Sequence, residues 1–230
     1  MSVDINVIGS HKIRSIPGGE QVELKTFWQD QDAVVIFFRR WGCMLCRLWA
    51  KELSEIAPVL KKNNIKLVGI GVENAGSKEF LEGKFFDGEL YHVDDISTYH
   101  TLGFKRFNVV SIITSLFWKQ SREAIAKGRG MGLHSDLNGD GLQNGGALLI
   151  KNGGKLRHFV QLFPADMLPN AEILEHFNLE AEYKEETMAN KVRDNIECNK
   201  PSDKLSVKNF LPFEPIHVIW CSRRCKQTKV

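Results

Sequence analysis

Residues Ala33 to Leu60, AVVIFFRRWGCMLCRLWAKELSEIAPVL, constrain the fold more than any other stretch of the chain. Six consecutive apolar residues, Ala33 to Phe38, are rich in β-branched and aromatic types and predict a short strand buried on both faces. Arg39-Arg40-Trp41-Gly42 breaks the run. Beyond it, Cys43, Cys46, Leu48, Trp49, Leu53, Ile56, Ala57 and Leu60 recur at spacings of three and four, the mark of a helix with one apolar face. A strand, a Gly-containing turn and a helix in that order put Cys43 at the helix N-terminus. Unpaired N–H groups and the positive end of the helix dipole favour a thiolate there, and Arg39, Arg40 and Arg47 add positive charge. Cys43 is therefore expected to be the more acidic thiol, below the free value of about 8.5. Cys46 follows on the same side of the first turn and can close a disulfide with it.

A Cys-x-x-Cys pair can also be half of a zinc site or two buried apolar side chains. Its position after a buried strand and at the start of a helix is the thioredoxin-like redox arrangement. The flanking pattern agrees. Lys12–Ile16 and Gln21–Leu24 around Pro17-Gly18-Gly19 predict a β-hairpin, with Ile5–Ile8 read as a further strand and Lys25–Gln29 as one helical turn. Strands are expected at Lys66–Val72 and Glu89–Val93. Helices are expected at Ser77–Phe86, Asp95–Leu102, Ser111–Lys127 and Pro169–Phe177. Ala147–Ile150 and Lys155–Gln161 around Asn152-Gly153-Gly154 form a second hairpin. Alternating strands and helices imply an α/β fold with parallel crossovers. Residues 129–146, with glycines at 130, 132, 139, 141, 145 and 146, form a loop long enough to be functional, and it is expected beside the cysteines because it leads into the strand facing them.

Arg39-Arg-Trp-Gly-Cys-Met-Leu-Cys-Arg47 resembles the active-site segment of the peroxiredoxin-like family that contains prostamide/prostaglandin F synthase. The resemblance extends to Phe80–Tyr91, Leu102–Asn108, Gly139–Gly146 and His158–Gln161, covering about residues 5 to 180. It implies a thioredoxin-like fold with a peroxiredoxin-like N-terminal β-hairpin, Cys43 and Cys46 as catalytic residues, and Arg40, Trp41, Gly42, Met44, Leu45 and Arg47 as the substrate-binding wall. It also implies reduction of lipid endoperoxides with NADPH and a possible thioredoxin-type reductant. The chain departs from peroxiredoxins proper, whose Pro and Thr or Ser, seven and three residues before the attacking cysteine, are replaced by Ile36 and Arg40. It departs from thioredoxins too, since no proline lies between Pro58 and Pro164 to supply their cis-proline.

A chain of 230 residues can bury a full core, and 43% hydrophobic with 26% charged residues fits a globular protein. The net charge of +3, with basic residues dispersed among 28 acids, gives no footprint for nucleic acid. No apolar run nears the roughly 20 residues of a membrane span, and the N-terminus lacks a signal peptide, so a cytoplasmic location with reduced cysteines is expected. A body of residues 1–180 and an irregular, charged, Pro-containing extension of residues 181–230 are expected, the extension opening with a frayed helix at Glu182–Lys191.

Three motifs have weaker claims. Gly69-Ile-Gly71-Val-Glu-Asn74 begins like a dinucleotide fingerprint but lacks the third glycine, so the glycines are read as packing positions. Asp136–Gly141 begins like a calcium loop, yet Ala147 occupies the position that needs a bidentate acid. Cys221 and Cys225 could complete a zinc site with Cys43 and Cys46 only across a very long gap. His158 is read as a strand histidine. An antioxidant or redox-regulatory thiol protein without a lipid substrate, and a zinc-binding module, remain the other classes open at this point.

Overall fold

The computed structural model describes residues 3–136, 139–151 and 155–198, with side chains up to residue 190. In chain order the elements are α1 (Ile5–Gly9), β1 (Lys12–Ile16), β2 (Gln21–Glu23), a 3₁₀ turn (Leu24–Phe27), β3 (Asp32–Phe38), α2 (Met44–Lys62), β4 (Ile65–Gly71), α3 (Ser77–Glu82) and β5 (Glu89–Val93). There follow α4 (Ser97–Thr101), α5 (Val109–Leu116), α6 (Lys119–Gly130), β6 (Gly146–Lys151), β7 (Lys155–Val160), α7 (Asn170–Phe177) and α8 (Glu180–Cys198). The chain's contacts divide it into two units, Met1–Tyr183 and Lys184–Val230. Within the first, Glu182 pairs with Lys62 at 2.6 Å and Tyr183 packs on the core.

The seven strands form one sheet in the order β2-β1-β5-β4-β3-β6-β7. β3 pairs parallel with β4 and β4 with β5, while β6 runs antiparallel to β3 and the hairpin β1–β2 joins antiparallel at the β5 edge. This is the thioredoxin-like α/β fold, with the expected N-terminal hairpin. β3 occupies the middle, and its pleat explains why all six of its apolar residues are buried. Val34, Ile36 and Phe38 face α2 and α7, and Ala33, Val35 and Phe37 face Phe27, Tyr99 and Phe104 on the opposite layer. Each large side chain so buried stabilises the fold by about 1.5–3 kcal/mol.

Three expectations are corrected. Ile5–Ile8 is helical, because the Asp4 carboxylate accepts the Asn6 N–H at 2.9 Å and caps the turn, leaving Ile8 as its core contact. Ser111–Lys127 is two helices: Trp118 is extended at ψ 146° and its ring meets Phe163 at 4.9 Å. The helix from Ser77 ends at Glu82, since Lys84 turns to φ 47° and returns Phe86 to the core against Phe38. The turn Asn152-Gly153-Gly154 lies outside the described residues, although the hairpin it joins is present with Ala147 opposite Phe159.

Candidate active site

The parallel strands β3 and β4 end together at Phe38 and Gly71. The buried Tyr99 hydroxyl clamps those ends, lying 2.8 Å from the Phe38 carbonyl and 3.0 Å from that of Ile70. After Phe38 the chain turns sharply, and Trp41 folds back into the core between Phe38 and Phe80, its indole N–H donating to the Glu73 carbonyl at 2.7 Å. A side chain on Gly71 would overlap that ring, and one on Gly69 would crowd Phe38. The two glycines thus serve packing, as expected, with aromatic rings as their main neighbours.

Cys43 occupies the N-cap position of α2 with extended φ/ψ of −82° and 123°, and Cys46 lies in the first turn. Both are free thiols, exposed by only 7% and 3%. Burial by itself would push both up. For Cys43 the outcome is reversed: the Cys46 S–H donates to its sulfur, Arg39 and Arg40 supply positive charge, and the Cys46 backbone N–H donates as well, so the thiol sits well below its ordinary value. Cys46 is driven well above, by holding that hydrogen bond and by desolvation. The two thiols are thus shifted in opposite directions, Cys43 toward the thiolate and Cys46 toward the thiol, the division that suits an attacking and a resolving pair.

Residues 131–136 and 139–145 close over this turn. Asp136 N–H donates to the Gly42 carbonyl at 2.9 Å, and the Met44 N–H at the open end of α2 donates to Ser135 Oγ at 3.0 Å. Cys43 makes no side-chain cap of its own, so the loop satisfies a helix end that the local sequence leaves bare. Gly42 is required here, because a Cβ would run into the Asp136 carboxylate. Arg39 reaches Cys43 Sγ at 3.8 Å through Nη1 while donating to the Gly141 and Gln143 carbonyls at 2.7 and 3.2 Å, and its guanidinium lies over the Phe107 ring. The expected proximity of this loop to the cysteines is thereby met.

The structure places the flanking residues unequally. Arg47 is buried, pairs with Asp136 at 2.7 Å, donates to the carbonyls of Trp41 and His134, and lies over Phe85. Trp41 and Leu45 are core residues, so of the six flanking positions only Arg40 and Met44 are partly exposed. Residues the sequence did not single out are Tyr99, Ser135, Gln143 and, in this role, Asp136. Their only signal was their place in a long glycine-containing loop or a helix preceding it.

Comparison with known proteins places this geometry. The AhpC/TSA antioxidant enzyme family matches residues 52–161, a span that begins after the two cysteines. Prostamide/prostaglandin F synthase of Bos taurus is 42% identical over 183 residues, covering 79% of this chain and 91% of that protein. The Homo sapiens protein of the same name is 40% identical over 183 residues, covering 79% and 92%. The chain belongs to the prostamide/prostaglandin F synthase family. A solved peroxiredoxin Q from Xanthomonas campestris, a cysteine-to-serine mutant, superposes with a TM-score of 0.51 at 11% identity over 80% of this chain and 97% of that one, a likeness of fold.

Within this family frame, the described residues contain no group of three or more His, Cys, Asp or Glu that could hold a metal ion. Cys221 and Cys225 lie outside the described residues. Among the described helices none is long and apolar enough to cross a membrane. Asp140, from the calcium-like segment, pairs with Arg106. His158 packs against Phe104 at 5.7 Å, and burial pushes it below its ordinary value.

Proposed function

We propose that this chain is a thiol-dependent oxidoreductase that reduces the endoperoxides of prostaglandin H2 and prostamide H2 to the corresponding F2α alcohols, a reading supported by relatives named prostamide/prostaglandin F synthase. The single observation that carries the reading is the geometry at the start of α2, with Cys43 at the N-cap, Cys46 in the first turn and Arg39 Nη1 3.8 Å from the Cys43 sulfur. The Cys43 thiolate attacks one oxygen of the weak O–O bond. That bond breaks, the departing oxygen leaves as an alkoxide that takes a proton from solvent, and the other oxygen stays on the Cys43 sulfur. Cys46, giving up its proton, then attacks that sulfur and expels the second alkoxide, which is protonated in turn. Two electrons have passed from two thiols to the peroxide, and a Cys43–Cys46 disulfide remains. Arg40 and Met44, partly exposed beside Cys43, are the flanking residues able to meet substrate; Trp41, Gly42, Leu45 and Arg47 shape the turn from within.

Reopening the disulfide needs an external reductant, and a thioredoxin-type dithiol is the chemistry that fits. NADPH is implied by the family; the one fingerprint-like turn among the described residues has its glycines covered by Phe38 and Trp41 and offers it no cradle. No step of the reaction is assigned to the nicotinamide. The test is turnover of prostaglandin H2 by purified protein with NADPH alone, and with NADPH plus thioredoxin and its reductase. F2α formation that needs the thioredoxin system and is lost in Cys43→Ser supports the reading. No F2α product under either condition, with Cys43 thiolate reactivity intact, overturns the substrate assignment.

A further inference from the structure

Outside the thiol site, the most unusual feature of the surface is the crest formed by α5 and its junction with α6. Val109, Val110, Ile113, Leu116, Phe117 and Trp118 are all exposed, Val110 by 65% and Phe117 by 74%. Single exposed apolar residues are ordinary, but six within ten positions make a contiguous patch of the kind that marks an interaction surface. The charge around it is net positive. Between Lys105 and Met131 the chain carries six exposed basic residues against the single acid Glu123. Arg106, Lys119 and Lys127 pair with Asp140, Glu123 and Glu52, so the excess rests on Lys105, Arg122 and Arg129.

We infer that this crest docks on an anionic lipid bilayer, with α5 lying in the headgroup region. An apolar helix face flanked by lysine and arginine is the arrangement that buries hydrophobic side chains at a membrane surface while the cations meet acidic headgroups. A second copy of the chain fits less well, because a two-fold contact through this patch would set the same cations against each other. The crest is also tied to the chemistry. α6 runs from Trp118 back to the cysteine turn, where Gly128 closes against Met44: a Cβ on it would lie 3.2 Å from the Met44 side chain. At about 1.5 Å per residue, the 12 residues of α6 hold the crest about 18 Å from that turn. Docking would therefore hold the cysteine turn within about one α6 length of the docked crest. The inference stands apart from the endoperoxide reading, since bilayer affinity is measured without turnover.

The test uses the full-length protein sedimented with phosphatidylcholine vesicles, with and without about 30 mol % phosphatidylserine. The expected result is binding to the anionic vesicles at least about tenfold tighter than to neutral ones, weakened as salt is raised. Val110→Ser with Phe117→Ser, and separately Lys119→Glu with Arg122→Glu, should each weaken anionic binding at least about tenfold while leaving the rate of Cys43 alkylation as in the native chain. Failure of the native protein to bind anionic vesicles would overturn the inference, and so would equal binding by the native protein and both double variants. A concentration-dependent dimer that Val110→Ser with Phe117→Ser dissociates, with no vesicle binding, would assign the crest to a second copy instead.

Discussion

The two ends of α2 make opposite use of one helix. At its N-terminus, Cys43 and Cys46 are packed within a closed turn where nearly every polar group is engaged: Arg39 with two carbonyls, Arg47 with Asp136, the Met44 N–H with Ser135. At its C-terminus, Ala57, Pro58, Lys61, Ile65, Leu67 and their neighbours from β5 line an open cleft of about 650 Å³. The cleft is lined by no cysteine, whereas the closed turn holds both. What the difference teaches is that reactivity here follows from desolvation and aimed donors rather than from room. A buried thiol becomes a thiolate only where a proton donor and a cation offset the lost hydration.

The contrast breaks most completely at the sulfur itself. Cys43→Ser should abolish turnover, because a hydroxyl of much higher pKa cannot attack, whereas Cys46→Ala should keep a single stoichiometric reaction and accumulate oxidised Cys43 or a mixed disulfide, read by mass mapping. Faster alkylation of Cys46 than of Cys43 in the native chain would reverse the assignment.

Next in size is the pair of arginines. Arg47→Met leaves the partly buried Asp136 without its cation and should cost about 3 kcal/mol in denaturant unfolding, while the pH at which Cys43 labelling is half-maximal stays put. Arg39→Met should move that pH upward. The sign follows from the thiolate being the nucleophile: lowering the Cys43 pKa keeps it reactive below the free-thiol value of about 8.5, and reactivity is lost as pH falls through the folded value, so removing a cation or the Cys46 donor shifts the loss to higher pH. If Arg47→Met moved the labelling profile and Arg39→Met did not, the two roles would be exchanged.

Smaller again is Ser135→Ala, which removes the hydroxyl that accepts from Met44 and should cost about 1 kcal/mol, measured by thermal unfolding. Smallest is Lys61→Gln in the far cleft, expected within about 0.5 kcal/mol of the native stability and without effect on thiol labelling. A substantial change in Cys43 reactivity from that substitution would connect the two ends and undo the contrast.

Much of this was legible in the chain before any fold was drawn. The apolar run of β3 and the three-and-four spacing of α2 are local patterns, and so is the glycine turn that joins them, which is why the strand, the helix and the position of Cys43 at the helix start were all readable. The Phe117–Trp118 break was not, because it exists to dock Trp118 on Phe163, 45 residues further along. The same limit applies to α1, where an Asp4 cap outweighed an alternating pattern.

The arginines divide the two sources of information most clearly. Arg39, Arg40 and Arg47 are equivalent in the sequence, each a cation within four residues of Cys43, and nothing local distinguishes them. Their roles were decided by a loop more than 85 residues away: Gly141 and Gln143 turn Arg39 toward the sulfur, while His134 and Asp136 draw Arg47 off it. Backbone periodicity and the chemistry of a thiol at a helix N-terminus were determined by the residues themselves, because dihedral preference and dipole act over a turn or two. Which cation faces the sulfur, and whether Trp41 meets substrate or core, were settled only by what the tertiary fold packed against them, because burial and hydrogen-bond partners are properties of neighbours in space.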